Sequence, residues 1–345
     1  MKNKKVMMVG SAEKSGGGIS SVLKLMKKMP IWDKYSCYWL GTQIQRNGAW
    51  KAYYAIRACL LAPFIMWKYD IVHFHCVPGT GLFTQLPQLL FAKLYRKKVI
   101  LEIHIGNQLT NNRNNEYFKW WLKRADLILL LSYKWMDLFH EIFPDINKPT
   151  DVLYNACELV PEVTKSEKKK LILFAGYMND NKAPHLLLEA WKQIKGKYPD
   201  WHVTLMGNGD VERFKMLAAD FGLGDCVDFP GYVVGNEKEK ILRASSIYCM
   251  CSYEEGFPMV VLESWAHSTA VITTSVGGLP DVIEDGVNCL TIPFGNSECL
   301  ADSLVRLIED EDLRWTIGNN GREMAMERFS TDAINKVIDK IYSQI

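Results

Sequence analysis

Short apolar runs alternate with amphipathic stretches along the whole chain, and the alternation starts twice. KVMMVG, YDIVHFH, KVILEIH, ADLILLLS and TDVLYN read as buried strands, each followed by a helix or loop. After a polar interval, NACELVPEVTKSEKKK at residues 155–170, the pattern restarts with KLILFAG, WHVTLMG, CVDFPGY, SSIYCMCS, AVITTS and CLTIP. Near-continuous apolar runs belong in sheets covered on both faces, so both halves are expected to be open, mostly parallel β-α-β sheets. The expected fold is α/β: two Rossmann-like, doubly wound domains facing across a cleft. Residues 1–160 form the first domain and 161–329 the second, with Pro161 inside the linker between them. Residues 330–345 carry helical apolar spacing at Ile334, Val337, Ile338 and Ile341 and are expected to pack back towards the first domain. Ligands of such sheets bind outside the carboxyl ends of strands, which directs the search for chemistry to the loops that follow strands.

A chain of 345 residues with 48% hydrophobic and 23% charged residues has room for two such domains. No window approaches the roughly 18 uncharged apolar residues of a membrane span. The apolar run in MKNKKVMMVG is too short for a signal peptide. Nine cysteines, odd in number and without a CxxC pair, suit a reducing cytoplasm, and Cys249 and Cys251 read as small core residues. The net charge of +2 hides an asymmetry: residues 1–155 hold 22 Lys and Arg against 10 Asp and Glu, the remainder 19 against 29. A basic first half points to an anionic partner, either a membrane surface or a phosphorylated acceptor. No basic helix, zinc spacing or RNP-like aromatic pattern supports nucleic acid. Two segments in that half, AWKAYYAIRACLLAPFIMWKYD and EYFKWWLKRAD, have the composition of helices that lie on an anionic bilayer. The first is expected to be a core helix between strands, since helices should cover both faces of the sheet. In the second, Lys119, Trp120, Trp121, Lys123 and Arg124 leave both readings open.

Three loops carry the candidate chemistry. SAEKSGGGISS follows the first strand, and Gly16–Gly18 precede helical spacing, so backbone N–H groups there can approach a phosphate. The run is neither GxGxxG nor a P-loop, and a flexible turn would look the same. His73 and His75 lie on one strand and are expected to point to opposite faces, while His104 ends the next strand and suits a polar ligand. Seven histidines without HxxxH or paired carboxylate spacing give no metal site. The acidic run at 310–312 is read as solvent-facing. The third loop is EEGFPMVVLE. Glu255 stands before an apparent helix whose first turn suits Pro258, and Glu263 interrupts its apolar stripe. A buried carboxylate needs partners, and a sugar diol with two hydroxyl donors is one.

With Glu255 and Glu263 forming an E-x7-E motif inside SYEEGFPMVVLESWAHSTAVITTSVGGLPDVIEDGVNCL, the chain resembles the retaining, nucleotide-sugar-dependent glycosyltransferases of family four, which have the GT-B fold. Further matching pieces are the glycine loop, DIVHFH, His104, YNACE, GNGD at 207–210 and GGLPDVI at 277–283, so the resemblance runs over essentially the full chain. It implies that Gly17 and Gly18 lie near the donor diphosphate and acceptor, and that His104 faces the transferred sugar. Glu255 and the backbone of Gly256, Phe257 and Pro258 would hold sugar hydroxyls, Glu263 the ribose, and Lys182 the diphosphate. Two positions depart from the family pattern: Tyr177 replaces an arginine, removing a second cationic clamp, and Ala183 replaces a glycine.

The implied activity is a hexosyl-type glycosyltransferase reaction, EC class 2.4, without metal or cofactor. A sugar would pass from a nucleoside-diphosphate donor to a saccharide or lipid-linked saccharide acceptor, in bacterial O-antigen, capsule or exopolysaccharide assembly. The expected location is the cytoplasm, at the inner face of the membrane. Two rivals are a nucleotide-sugar epimerase or phosphorylase of the same fold, and a transferase-like binding protein without turnover. A nicotinamide enzyme is disfavoured, because the glycine loop lacks the fingerprint and no ribose-binding acid follows it.

Overall fold

The structure is a computed structural model that describes residues 4–44, 48–104 and 107–345. It divides into two compact units, one of Met1–Ala156 with Thr331–Ile345 and one of Cys157–Ser330. The first begins with β1 (Val6–Ser11), α1 (Gly18–Met26), α2 (Pro30–Lys34), β2 (Tyr38–Gln43) and α3 (Gly48–Ile65). It continues with β3 (Ile71–Cys76), α4 (Thr80–Leu94), β4 (Lys98–Ile103), α5 (Asn107–Asn111) and α6 (Glu116–Leu122), then β5 (Leu127–Leu130), α7 (Tyr133–Ile142) and β6 (Thr150–Val152). The strands are parallel throughout, in the order β2-β1-β3-β4-β5-β6. β2, an edge strand whose buried centre is Leu40, Gly41 and Thr42, is the one strand of this sheet without an apolar run to announce it. α3 buries only Ala58 and Ala62, so the reading of its segment as a core helix does not hold.

The second unit holds β7 (Lys169–Ala175), α8 (Pro184–Ile194), β8 (His202–Met206), α9 (Val211–Asp220), β9 (Val227–Gly231), α10 (Gly235–Ala244) and β10 (Ser245–Met250). α11 (Met259–Ala266), β11 (Ala270–Thr274), β12 (Leu290–Ile292), α12 (Ser297–Glu309) and α13 (Glu311–Met324) complete it. Its strands are also all parallel, in the order β12-β11-β10-β7-β8-β9. The sheet therefore grows one way from β7 and the other way from β10. Trp191 of α8, Phe214 of α9 and Leu304 of α12 are fully buried against Ile172, Val203, Ile247 and Ile272 of the strands. Each such side chain contributes about 1.5–3 kcal/mol relative to exposure.

The polar interval 155–170 is no loose linker. Arg322 Nη2 donates to Val160 O at 2.8 Å, Arg243 Nη2 to Glu162 O at 2.9 Å, and Arg243 Nε pairs with Glu167 at 2.7 Å. Asp310 in the acidic run caps α13 by accepting from Leu313 N at 2.8 Å. The terminal helix α14 (Thr331–Gln344) belongs to the first unit, where it buries Ile334, Ile338, Ile341 and Tyr342, with Val337 37% exposed at its edge.

The loops after β7 and β8 touch backbone to backbone. Gly176 N donates to Met206 O at 3.0 Å and Met178 N to Asn208 O at 2.7 Å. Gly207 has φ +153°, and a Cβ there would lie 1.7 Å from Gly176 O. Gly207→Ala is therefore expected to destabilise the second unit by roughly 2–4 kcal/mol, which urea unfolding of the full chain would measure; an unchanged midpoint would refute the close approach.

Candidate active site

In the second unit the loops after β7 and β10 converge. Lys182, just before α8, forms an ion pair with Glu255 Oε1, and Ser252 Oγ donates to the same oxygen at 2.8 Å. The loops are latched by Asn181 Nδ2 donating to Glu254 O at 3.0 Å and Tyr253 N to Asn181 O at 2.8 Å. Ala183, where the resemblance expects glycine, is buried with φ +48° and ψ 49°. A left-handed conformation costs an L-residue roughly 1–2 kcal/mol, which a glycine would avoid.

The turn that carries Glu255 is braced from behind. Gly278 N donates to Gly256 O at 2.8 Å, and Gly277 has φ +65°. A Cβ on Gly277 would stand 2.6 Å from Gly256 O and 2.8 Å from Glu255 O. Phe257 is buried against Phe329, their rings 5.5 Å apart. Pro258 precedes α11 with φ −74° and ψ 115°, outside the helix and not in its first turn. It has no N–H, so of the three turn residues only Gly256 and Phe257 can donate from the backbone to a sugar hydroxyl.

Glu263 is not the partnerless acid that its apolar neighbours suggest. Its side chain is 25% exposed, and both oxygens accept from Lys238 Nζ of α10, at 2.6 and 2.7 Å. The charge alternation of NEKEKILR hides Lys238 among solvated neighbours, and no spacing singles it out. Tyr177, at the position of the missing arginine, is 54% exposed. Lys238 thus supplies a second cation in this unit, from a different element.

The first unit places Gly17 and Gly18 after β1 and His104 after β4. Gly17 has φ +94° and caps α1, while a Cβ on Gly18 would meet nothing within 4 Å. Ser20 Oγ donates to Ser15 O at 2.6 Å, which holds the loop. Ile105 and Gly106, which follow His104, lie outside the described residues.

β3 and β4 pair with His75 opposite Glu102. Residues two apart in a strand share a face, so His73, His75, Glu102 and His104 all line one side of the sheet. The expectation that His73 and His75 diverge is corrected: their rings stack with centroids 4.4 Å apart, and Phe74 between them points the other way. His75 Nδ1 lies 3.0 Å from His104 Nε2. Glu102 Oε2 is 3.1 Å from His73 Nε2 and 3.3 Å from His75 Nδ1, and Oε1 is 3.2 Å from His104 Nε2. The Oε2 contacts are close but not aligned as hydrogen bonds. His73 Nδ1 is 2.8 Å from the Tyr342 hydroxyl. His73, His75 and Glu102 offer ligand atoms within 4.8 Å of one another, a set that could hold a metal ion and that strand pairing, not sequence spacing, assembles.

Burial alone would push the Glu102 carboxyl up, but the imidazoles of His75, His104 and His73 hold it at about 2. Burial drives His75 well below the usual imidazole value and lowers His104, with Glu102 opposing only in part. Below about pH 6.5 the unfolded chain takes up protons that these buried rings refuse, so stability falls as pH falls. A melting temperature that declines from about pH 7 to about pH 5, and declines less in His75→Gln, is the expected result; a flat profile would contradict neutral buried imidazoles.

Doubly wound parallel sheets bind ligands outside the carboxyl ends of their strands, which is where Lys182 and Glu255 meet. Residues 158–324, nearly all of the second unit, match the family described as "Glycosyl transferases group 1". The D-inositol 3-phosphate glycosyltransferase of Corynebacterium jeikeium is 30% identical over 186 residues, 52% of this chain but only 44% of that protein. The N-acetyl-alpha-D-glucosaminyl L-malate synthase of Bacillus anthracis is 24% identical over 292 residues, covering 80% of this chain and 75% of that one. Anabaena HepE, whose crystal structure is a complex with UDP-glucose, shares the GT-B fold over 99% of this chain and 100% of its own, with TM-score 0.79 and 18% identity.

Proposed function

We propose that the protein is a retaining glycosyltransferase that moves a hexosyl unit from a nucleoside-diphosphate sugar to a hydroxyl of a saccharide acceptor. The observation that carries this reading is the pairing of Lys182 with Glu255 where the loops after β7 and β10 meet. In the reaction the bond from the anomeric carbon to the phosphate oxygen breaks and a bond to the acceptor oxygen forms. The acceptor proton passes to the departing phosphate, on the same face of the sugar. Lys182 and Lys238 meet the charge that develops on the leaving diphosphate, so this reading requires no metal or cofactor. Glu255 and the N–H groups of Gly256 and Phe257 position the sugar hydroxyls, and Glu263 accepts from the ribose diol. The resemblance assigns His104 to the transferred sugar, and Gly17 and Gly18 to the diphosphate and acceptor.

The acceptor is a lipid-linked saccharide in this reading, and the pathway is bacterial cell-surface polysaccharide assembly in the cytoplasm. The charge excess of residues 1–155 supports an anionic, phosphorylated acceptor. UDP-sugars are the first donors to test, since HepE was crystallised with UDP-glucose.

A saturating nucleoside diphosphate, at about a hundred times its dissociation constant, stabilises the folded chain by about 2.7 kcal/mol. A base-selective thermal shift that Glu263→Ala weakens supports the donor site; no shift with any nucleotide sinks it. Lys182→Ala is expected to lower kcat by roughly 10²–10³-fold, the scale of one lost transition-state contact. NMR of the product's anomeric proton tests retention. A nucleotide shift without transfer or hydrolysis would identify a binding protein instead.

A further inference from the structure

We infer that the face formed by α3 and α4 docks on an anionic lipid bilayer. Ile56, Leu60, Phe64 and Trp67 recur at helical spacing along α3 and the turn after it, and Leu90 and Leu94 do so on α4. All six are between 51% and 73% exposed. The carboxyl ends of the two helices are fixed side by side: Tyr95 Oη donates to Pro63 O at 3.0 Å, and Lys97 Nζ to Trp67 O at 2.9 Å. The two exposed stripes therefore run to neighbouring helix ends. Contiguous apolar exposure on this scale marks an interaction surface.

Charge selects the occupant. Residues 48–68 and 80–98 contain seven Lys and Arg and no Asp or Glu. An ordinary solvated surface mixes both signs. Asp126 pairs with one of these cations, Lys93, at 2.8 Å, and the other six keep the face basic. A twofold contact with a second copy would press it against itself, at a cost in like-charge repulsion. Anionic headgroups neutralise the cations while the boundary below them takes up the apolar side chains. Among the described residues no helix is long and apolar enough to cross a membrane, and α3 carries Arg57 at its middle and Pro63 near its end. The helix therefore lies along the bilayer, with its aromatic and aliphatic side chains at headgroup depth. The inference goes beyond the transferase reading and does not depend on it, because the nucleotide-binding residues Lys182, Lys238, Glu255 and Glu263 lie in the second unit.

Co-sedimentation of the full chain with vesicles tests the surface. Binding to phosphatidylcholine vesicles carrying about 30 mol % phosphatidylglycerol should exceed binding to pure phosphatidylcholine by at least about tenfold, and should weaken as salt rises from about 0.1 M to about 0.5 M. The double substitution Leu60→Ser with Phe64→Ser should lower binding about tenfold. Lys51→Gln with Arg57→Gln should flatten the salt dependence. A melting temperature unchanged in both variants separates loss of docking from loss of the fold. Equal binding to neutral vesicles, or equal binding by the variants, would overturn the inference. So would a dimer in sedimentation velocity that the Leu60/Phe64 variant dissociates while vesicles fail to bind the parent chain, since a second copy would then cover the face.

Discussion

In a parallel sheet every strand delivers its carboxyl end to the same edge, and only where strand order reverses do neighbouring loops turn apart. In the second sheet that place lies between β7 and β10. β8 and β9 continue from one of them, and β11 and β12 from the other. In sheets of this kind the connections on either side of such a reversal leave on opposite faces, and ligands bind in the crevice between them. Lys182 comes from one side of the gap and Glu255 from the other. The latch from Asn181 to Glu254, the Ser252 hydrogen bond and the contact of Gly277 with the acid turn all serve that meeting. Remove the reversal and these residues would lie at separate positions along one edge.

The two units treat charge in opposite ways. Lys182–Glu255 and Lys238–Glu263 are partly exposed pairs, of a kind that contributes at most about 1 kcal/mol of stability. What such pairs do is hold a donor and an acceptor in fixed orientation. The first unit instead buries one carboxylate among three imidazoles, with Tyr342 closing the far side. There the polar groups depend on one another, because none has water to fall back on. Loss of Glu102 would leave His73, His75 and His104 around a gap where their carboxylate neighbour stood.

The strands were legible because both faces of each sheet are covered, which makes a buried strand a continuous apolar run. β2 escaped because an edge strand with Gly41 and Thr42 in its buried centre has no such run. Glu255 and Glu263 could be read because their spacing around a Gly-Phe-Pro turn is local. Lys238 and Glu102 could not, since their significance comes from elements that meet only through tertiary packing: α10 against α11, and β4 against β3. The histidine strand was misread for a simpler reason, the period of two that puts His73 and His75 on one face. α3 has few charged residues, which favours a buried helix over a surface one. The choice between them depends on which residues are small. Ala58 and Ala62 face the sheet, and the large side chains are left outside.

The first unit is discontinuous in sequence, interrupted after Ala156 and resumed at Thr331. Between these points the chain builds an entire second sheet, and the two junctions adjoin through the parallel bridge of Cys157 with Ser330. Translation delivers residues from the amino end, and domains tend to fold as they emerge. Here the earlier unit cannot finish first. His73 is made early, yet its partner Tyr342 emerges only after the whole inserted unit. During synthesis the first sheet therefore has all six of its strands but not α14, so its buried histidines lack their lid, while the later unit has all of its own residues in hand. The half of the molecule that is born first is the half that matures last.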